Sequence, residues 1–188
     1  MNKDLQSYVK VYNNWFDDQL CEQTVAELNN INWQEHKFYN PASKTFAPIS
    51  GAQELETSWD NISTYEEMMF MYGCGFKKYL EELNFPWFDH WTGFSPVRYN
   101  RYAENRKMAE HCDHIHSMFD GERKGIPTMT ALAVLNDDYV GGEFVMWTDT
   151  IIPLKKGDLM VMPTNYLYPH RVEPVISGIR YSAVTWTF

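Results

Sequence analysis

The chain is poor in cysteine, in positive charge and in long apolar runs, and each shortage argues against a class of protein. Its 188 residues include three cysteines, Cys21, Cys74 and Cys112, with no CxxC spacing, which argues against a disulfide framework. There is no run of about eighteen apolar residues, so no membrane-spanning helix is predicted. The N-terminal segment, Met1 to Gln6, lacks the apolar core of a signal peptide. We therefore expect a cytoplasmic protein.

The charge balance is acidic, with 25 Asp and Glu against 16 Lys and Arg and a net charge of −9. An acidic surface repels phosphate backbones, so general nucleic-acid binding is not expected. Apolar residues make up 44% and aromatic residues 16% of the chain, which suits one sizeable core. The aromatic share favours β-sheet, because large flat side chains fill the space between pleated surfaces.

Two helices are predicted in the first half of the chain. Tyr8 to Phe16 predicts a strand followed by a turn, and Asp17 to Asn30 predicts a short helix with acidic residues at its start. A longer helix, Tyr65 to Leu83, contains no proline and follows a Ser63-x-x-Glu66 pattern. That pattern predicts a capping box at its N-terminus.

After Trp91 the pattern changes to short β-rich runs separated by glycine and proline turn signals. Several short strands at this spacing are typical of a sandwich or barrel. We predict a mostly β (α+β) single domain over 1–188, in which 1–90 forms a helical and strand support and 91–188 forms the barrel. The predicted strands are Val97–Tyr102, Thr128–Leu135, Glu143–Trp147, Asp158–Met162, Tyr168–Val175 and Ile179–Phe188.

The segment His111-Cys112-Asp113 is the first feature that indicates a metal site. Residues i and i+2 of an extended segment face the same side, so His111 and Asp113 can hold one ion together. His170, on a strand expected across the barrel, can add a third ligand. Two histidines and one carboxylate on one face of an ion leave its other positions open, which is the ligand set of non-haem Fe(II) oxygenases.

Arg180 and Ser182 also share one face of a predicted strand. Arginine offers two parallel N–H groups that match a carboxylate, and serine adds a hydroxyl donor. If Ser177-Gly178 forms a hairpin turn, Arg180 lies opposite the strand that begins at His170, roughly 16 Å along the ladder. An arginine side chain and a five-carbon diacid would span much of that gap. The alternative for Arg180 is a surface ion pair with Glu173.

Other interpretations of the histidine-rich segment stay open. His114-x-His116 could instead be a cupin-type metal pair, with Asp120 as the carboxylate nearby. Three nitrogen and oxygen ligands can also bind zinc, although paired thiolates are lacking. A metal-binding jelly-roll that binds a ligand without turnover is a further alternative.

Taken in order, these motifs resemble the 2-oxoglutarate/Fe(II)-dependent oxygenases of the prolyl 4-hydroxylase type. The resemblance covers about Val97 to Phe188. Three positions, Pro127, Val134 and Met108, depart from the family pattern and change the polar contacts of the pocket. The matching segments are Arg98–Tyr102, His111–Asp113, Thr130–Asn136, Gly141–Phe144, Pro153–Asp158, His170–Val175 and Gly178–Arg180, followed by Trp186.

The resemblance implies a double-stranded β-helix, a jelly-roll barrel, with helices bracing one sheet. It implies Fe(II), 2-oxoglutarate and O₂, with ascorbate as reductant, and hydroxylation of a C–H bond with succinate and CO₂ as co-products. The first-choice substrate is a prolyl residue in a protein or peptide, and the alternative is a free amino acid or other small molecule. A nucleobase demethylase on the same barrel is disfavoured by the acidic charge. The assigned residues are His111, Asp113 and His170 as iron ligands, Arg180, Ser182, Tyr102 and Thr130 as 2-oxoglutarate contacts, and Trp186 as a substrate contact.

Overall fold

A computed structural model describes residues 4–40, 43, 45–48, 53–88, 90–113 and 127–188. These residues form two antiparallel β-sheets, and two α-helices lie against one face of the larger sheet. No helix of the described residues is long and apolar enough to cross a membrane. The helices are a 3-10 helix (Leu5–Tyr8), α1 (Asp18–Leu28) and α2 (Tyr65–Leu83). The strands are β1 (Lys10–Tyr12), β2 (Gln34–Glu35), β3 (Phe38–Asn40), β4 (Thr45–Ala47), β5 (Glu56–Ser58), β6 (Arg98–Tyr102), β7 (Met108–His111), β8 (Met129–Val134), β9 (Val140–Gly141), β10 (Phe144–Met146), β11 (Thr150–Ile152), β12 (Leu159–Pro163), β13 (His170–Val172), β14 (Val175–Ser177) and β15 (Arg180–Thr187).

The larger sheet has seven strands in the order β1-β12-β8-β15-β6-β5-β2, and the smaller sheet has four in the order β11-β10-β13-β7. Two short ladders join β14 to β9 and β3 to β4. Over the described residues, the two main sheets do not join into one closed ladder. Because β1, β2 and β5 come from the first third of the chain, the N-terminal part adds strands to the same sheet that carries β6, β8, β12 and β15.

The larger sheet is buried on both faces, and β8 shows this most directly. All six residues of β8 are buried. Alternate side chains of a strand point to opposite faces. Ala131 and Ala133 belong to the apolar cluster under the helices, whereas Leu132 and Val134 belong to the cluster between the two sheets. A strand that is covered on both sides needs a continuous apolar run, which is what this segment has.

Helix α2 lies close against the outer face of the larger sheet. A Cβ at Gly75 would overlap the side chain of Leu159 on β12. Tyr72 and Phe76 of the same helix are fully buried. Because burying one side chain of this size contributes about 1.5–3 kcal/mol, α2 is a main brace of the sheet.

The predicted helices agree with the structure, but the predicted capping box is wrong. Asp17 caps α1, because its carboxylate accepts a hydrogen bond from Leu20 N at 2.8 Å. The N-cap of α2 is Thr64, and its side chain makes no capping hydrogen bond. Ser63 instead donates to the Glu27 carboxylate through both its backbone N–H and its hydroxyl. The serine therefore ties α1 to the start of α2.

The predicted strand Tyr168–Val175 is two strands in the structure. β13 pairs with β10 and β7 in the smaller sheet, whereas β14 pairs with β9 in a separate ladder. Pro174 lies between them and has no N–H to continue a ladder.

The hairpin expected at Ser177-Gly178 does not place Arg180 opposite the strand of His170. Arg180 begins β15 of the larger sheet and pairs with Tyr102 of β6. His170 begins β13 of the smaller sheet. The prediction was wrong because the chain passes from one sheet to the other here, so the two residues belong to different sheets.

Candidate metal centre

Three ionisable side chains meet at one edge of the smaller sheet. His111 ends β7, Asp113 follows it, and His170 begins β13. Their ligand atoms all lie within 4.8 Å of one another. His111 Nε2 lies 3.2 Å and His170 Nε2 lies 3.6 Å from Asp113 Oδ1. Asp113 and His170 are buried, so this group can hold one metal ion with little competition from water.

Strand pairing brings the two histidines together. His111 and His170 are directly opposite each other in the antiparallel ladder between β7 and β13, and their ring centroids are 4.4 Å apart. Side chains opposite each other in such a pair have Cβ atoms about 4.5–5.5 Å apart, which suits one shared ion. The expected position of His170 across the barrel was wrong, because it lies on the neighbouring strand.

Hydrogen bonds determine which nitrogen each imidazole presents to the cluster. His111 Nδ1 lies 2.9 Å from Ala109 O, and His170 Nδ1 lies 3.1 Å from Tyr168 O. A carbonyl oxygen can only accept, so each Nδ1 carries the hydrogen and each Nε2 offers a lone pair. Two lone pairs and a carboxylate oxygen repel one another unless a cation lies between them. The donor set therefore fits a metal ion.

Thr130 orients the carboxylate of Asp113. Its Oγ1 donates to Asp113 Oδ2 at 2.7 Å, which leaves Oδ1 to face the histidines. Burial alone would raise the pKa of Asp113, but His170, His111 and this hydrogen bond together hold it well below its usual range. Burial lowers the pKa of His170 to about 4, so its imidazole is neutral at pH 7, as a metal ligand must be. The hydrogen bond from Thr130 to Asp113 is a contact that the sequence did not reveal.

The inner face of the larger sheet carries a row of connected polar side chains. Arg98 Nε donates to Asn100 Oδ1 at 3.0 Å. Asn100 Nδ2 and Arg180 Nη1 both donate to Ser182 Oγ, at 3.3 and 3.2 Å. We call these four residues the polar row. Because Ser182 accepts twice, its own hydrogen is left to donate to a ligand.

Arg180 is buried without an acidic partner among the described residues. It is 1% exposed, its Nε has no hydrogen-bond partner, and its guanidinium carbon lies 5.0 Å from the centre of the Tyr102 ring. The alternative pairing with Glu173 is wrong, because Glu173 pairs with Arg171 at 2.7 Å. A buried guanidinium without an anion is costly, so this position fits the carboxylate of a ligand.

Tyr102 lies beside the metal cluster and in contact with Arg180. It lines the cavity that contains His111, Asp113 and His170. Its ring lies beneath Arg180, which lines a neighbouring cavity of about 240 Å³. A co-substrate that contacts both the metal cluster and Arg180 therefore passes Tyr102.

Trp186 forms one wall of the cavity with the metal cluster. It is 1% exposed, and the guanidinium carbon of Arg98 lies 4.9 Å from its ring centre. Trp59 is 47% exposed and its ring lies 6.4 Å from that of Trp186. Met108 lines the same cavity, and Val134 pairs with Ser182. The alternative metal pair His114 and His116, with Asp120, lies outside the described residues.

Sequence reasoning missed Arg98 and Asn100 as residues of the site. Both line the cavity of the metal cluster together with Tyr102. Strand alternation places residues 98, 100 and 102 on one face, but it does not show whether Arg98 or Arg101 is the functional arginine.

Comparison with known proteins gives the family. Residues 97–188 match the model described as the 2OG-Fe(II) oxygenase superfamily. A curated relative from Delftia acidovorans, a PKHD-type hydroxylase, is 32% identical over 99 residues, which is 49% of this chain and 42% of the relative. The chain thus spans less than half the length of the curated relatives it matches.

Two solved structures are similar over nearly the whole chain. A collagen prolyl hydroxylase from Paramecium bursaria Chlorella virus-1, solved with 2OG, is 19% identical with a TM-score of 0.68, and the match covers 96% of this chain and 94% of that one. A prolyl hydroxylase from Trichoplax adhaerens, solved with a hypoxia inducible factor peptide fragment, is 15% identical with a TM-score of 0.70, covering 96% and 83%. At these identities the likeness concerns the fold, and it confirms the predicted jelly-roll architecture.

Residues 97–188 belong to the 2OG-Fe(II) oxygenase superfamily. The curated relatives are PKHD-type hydroxylases, and the two similar solved structures are prolyl hydroxylases. The family implies Fe(II), 2-oxoglutarate and O₂.

Proposed function

We propose that the chain is an Fe(II)- and 2-oxoglutarate-dependent hydroxylase with iron held by His111, Asp113 and His170. The observation that carries this proposal is the cluster of two Nε2 lone pairs and one carboxylate oxygen, with both Nδ1 hydrogens committed to backbone carbonyls. These ligands cover one side of an ion and leave positions for the co-substrate and O₂. When bound, the iron supplies the oxidising chemistry that converts 2-oxoglutarate to succinate and CO₂ and hydroxylates a C–H bond.

We assign Arg180 and Ser182 to the far carboxylate of 2-oxoglutarate. Arg180 is a buried cation with no anion, and Ser182 retains a hydrogen to donate. Tyr102 lines the cavity of the metal cluster and contacts Arg180, and we propose that it contacts the co-substrate. We propose that Thr130, which also donates to Asp113, contacts 2-oxoglutarate, and that Trp186 contacts the substrate.

We propose a prolyl residue in a protein or peptide as the substrate, with a free amino acid or other small molecule as the alternative. The support is the likeness to prolyl hydroxylases, one of which was solved with a peptide. The three cysteines are free. This suits the reducing cytoplasm that we propose as the compartment. We propose ascorbate as the reductant. We also propose that 1–188 act as one domain, because N-terminal strands complete the larger sheet.

Succinate formation tests the proposed reaction. Purified protein receives Fe(II), ascorbate and 2-oxoglutarate in air, and succinate is measured for the wild type, His111→Ala and Arg180→Ala. Arg101→Ala is the matched control, because Arg101 lies on β6 but outside the cavity. It forms an ion pair with Glu56, with 2.7 Å between nitrogen and oxygen. We expect iron-dependent succinate in the wild type and the control and its loss in both site variants.

Two outcomes without succinate would point to different conclusions about the metal site. No succinate, with metal affinity retained in His111→Ala, would place the metal elsewhere and contradict the proposal. No succinate, with metal lost only in His111→Ala, would favour a metal-binding module without turnover.

A further inference from the structure

We infer that Arg98 binds a carboxylate of the prime substrate, so that the molecule to be hydroxylated is acidic close to the oxidised carbon. The inference rests on the proposed function, because it requires the metal ion at the histidine and aspartate cluster. Arg98 lines the same cavity as His111, Asp113 and His170. It is therefore a specificity-determining residue beyond the set that holds the metal and 2-oxoglutarate.

The guanidinium of Arg98 has unused donors. Its Nε donates to Asn100, and no described side chain accepts a hydrogen bond from either Nη atom. No described carboxylate forms an ion pair with it. Burial is the main influence on its pKa and lowers it, although the charge of Asp113 acts on Arg98 and raises its pKa. An arginine nevertheless stays charged in proteins. Its terminal N–H groups are thus available to a carboxylate, which they match in geometry.

Neighbouring side chains hold Arg98 in place. Its guanidinium lies over the ring of Trp186, and its Nε is tied to Asn100. Trp59 continues this aromatic wall towards solvent, because it contacts Trp186 and is 47% exposed. A charged group restrained in this way loses little freedom when a ligand binds, which favours recognition.

Arg98 and Arg180 occupy opposite ends of the polar row. In the ladder between β6 and β15, Arg180 pairs with Tyr102 and Arg98 pairs with Val184. Four residues along a strand correspond to about 14 Å. The two arginines therefore serve two different anionic groups, and Arg180 is the one assigned to the far end of 2-oxoglutarate.

The charge count of the loaded site also favours a further anion. A divalent ion and the two arginines of the polar row bring four positive charges, and Asp113 with the 2-oxoglutarate dianion offsets three. Glu54, a buried carboxyl group near His111, is countered by Lys107. His36 is neutral, because burial and then Arg98 lower its pKa to about 3. One positive charge remains in a largely buried site, where an uncompensated charge is costly.

The competing role for Arg98 is contact with the metal-chelating end of 2-oxoglutarate. The two roles differ in what a variant loses. Loss of a substrate contact removes a preference for acidic ligands, whereas loss of a co-substrate contact lowers the affinity for 2-oxoglutarate.

The experiment uses the full chain loaded with Mn(II) and 2-oxoglutarate, and calorimetry measures the Kd of two matched pairs of probes. The first pair is an acetylated, amidated proline peptide with glutamate beside the proline and the same peptide with glutamine. The second pair is free L-proline and L-prolinamide. The variants are Arg98→Met, which keeps the length and removes the charge, and Arg98→Lys. Arg101→Met is the matched control, because its side chain lies on the opposite face of the same strand.

We expect the wild type to prefer the acidic member of one pair by about tenfold, as for a charged hydrogen bond. The pair that shows the preference identifies a peptide or a free amino acid as the source of the carboxylate. Arg98→Met should lose the preference, Arg98→Lys should keep part of it and Arg101→Met all of it, while 2-oxoglutarate affinity stays within about twofold.

Three results would overturn the inference. These are no preference for either acidic probe in the wild type, a preference that survives in Arg98→Met, or 2-oxoglutarate binding about tenfold weaker in Arg98→Met. A wild type that binds neither Mn(II) nor 2-oxoglutarate would instead overturn the proposed function, and the inference with it.

Discussion

The two faces of the larger sheet come from the same strands but differ in their polar side chains. The outer face, under the helices, is mainly apolar, with Arg101 and Thr185 as exceptions, whereas the inner face combines apolar side chains with the polar row and Thr130. Because side chains alternate, a shift of one residue along a strand would exchange the two faces. The outer face therefore mainly supplies stability, whereas the polar side chains of the inner face supply the chemistry. The residues compared are Tyr99, Ala131, Ala133, Tyr181 and Ala183 on the outer face, and Arg98, Asn100, Thr130, Arg180 and Ser182 on the inner face.

The largest effect is expected from the outer face. Phe76 is fully buried, and its ring contacts those of Trp91 and Phe94. Phe76→Ala should lower the free energy of unfolding by about 3–5 kcal/mol, measured by urea denaturation, because it leaves a cavity. Phe76→Leu should lower it by less than about 2 kcal/mol and keep a folded protein to compare. If Mn(II) affinity of folded Phe76→Leu changed by more than about twofold, the separation of the faces would be contradicted.

Two buried threonines, one on each face of the larger sheet, allow a direct comparison of the faces. Thr130 on the inner face donates to Asp113, whereas Thr185 on the outer face donates to Ser95 O at 2.9 Å. Thr130→Val should weaken Mn(II) binding by about 10–100-fold, because the orientation of a ligand is lost. Thr185→Val should lose about 1–2 kcal/mol of stability with metal affinity unchanged. Equal metal affinities in the two variants would show that Thr130 does not position Asp113.

The sequence predicts the elements of the inner face better than their arrangement. The helices and most strands follow from local periodicity, and the His111-x-Asp113 spacing is local too. The strand that His170 joins and the sheet that Arg180 joins depend on pairing between distant segments, which neither segment specifies alone. Both placements were therefore wrong, although the residues themselves lie at the site.

The structure shows where Met108 and Val134, which depart from the family pattern, lie relative to the site. Met108 lines the metal cavity and Val134 pairs with Ser182, and both belong to the apolar cluster between the two sheets. Two polar residues of the cavity come from β6, where Arg98 and Asn100 alternate with the buried Tyr99 and the partly exposed Arg101. A strand with charged residues on both faces gives no clear signal of which arginine is functional, and Arg98 was missed for that reason.

The faces should also differ in their response to acid. Burial and then the charges of Arg98 and His111 lower the pKa of His36, at the inner side, to about 3, against about 6.5 when unfolded. Below pH 6.5 the unfolded chain therefore binds a proton that the folded chain does not, and this stability is lost as pH falls. The loss between pH 6.5 and 5 is about 1.5 kcal/mol.

His36→Phe keeps an aromatic ring at this position and removes the titration. Urea unfolding at pH 6.5 and at pH 5 should show a smaller loss of stability in the variant than in the wild type. On the outer face, burial raises the pKa of Cys21 to about 11, so Cys21 contributes no change over this range. Identical losses in wild type and His36→Phe would mean that His36 is protonated in the folded chain.

The smallest effect concerns the close approach of backbone to Arg180. A Cβ at Gly142 would lie 2.9 Å from Arg180 Cδ, and Gly142 has φ +67°. Gly178 has φ +82°, but a Cβ there would meet Asp138 and Tyr139 instead. Both Gly142→Ala and Gly178→Ala should lose about 1–2 kcal/mol of stability, because the left-handed conformation is strained for alanine.

Only Gly142→Ala should weaken 2-oxoglutarate binding, by about fivefold, because the displaced Arg180 side chain loses about 1 kcal/mol of interaction. Calorimetry with Mn(II) present measures this difference, and Gly178→Ala controls for backbone strain. Equal 2-oxoglutarate affinities would mean that the Tyr102 ring and Ser182 alone hold the guanidinium in position. A selective loss would show that the inner face depends on the tight Gly142 turn as well as on its own side chains.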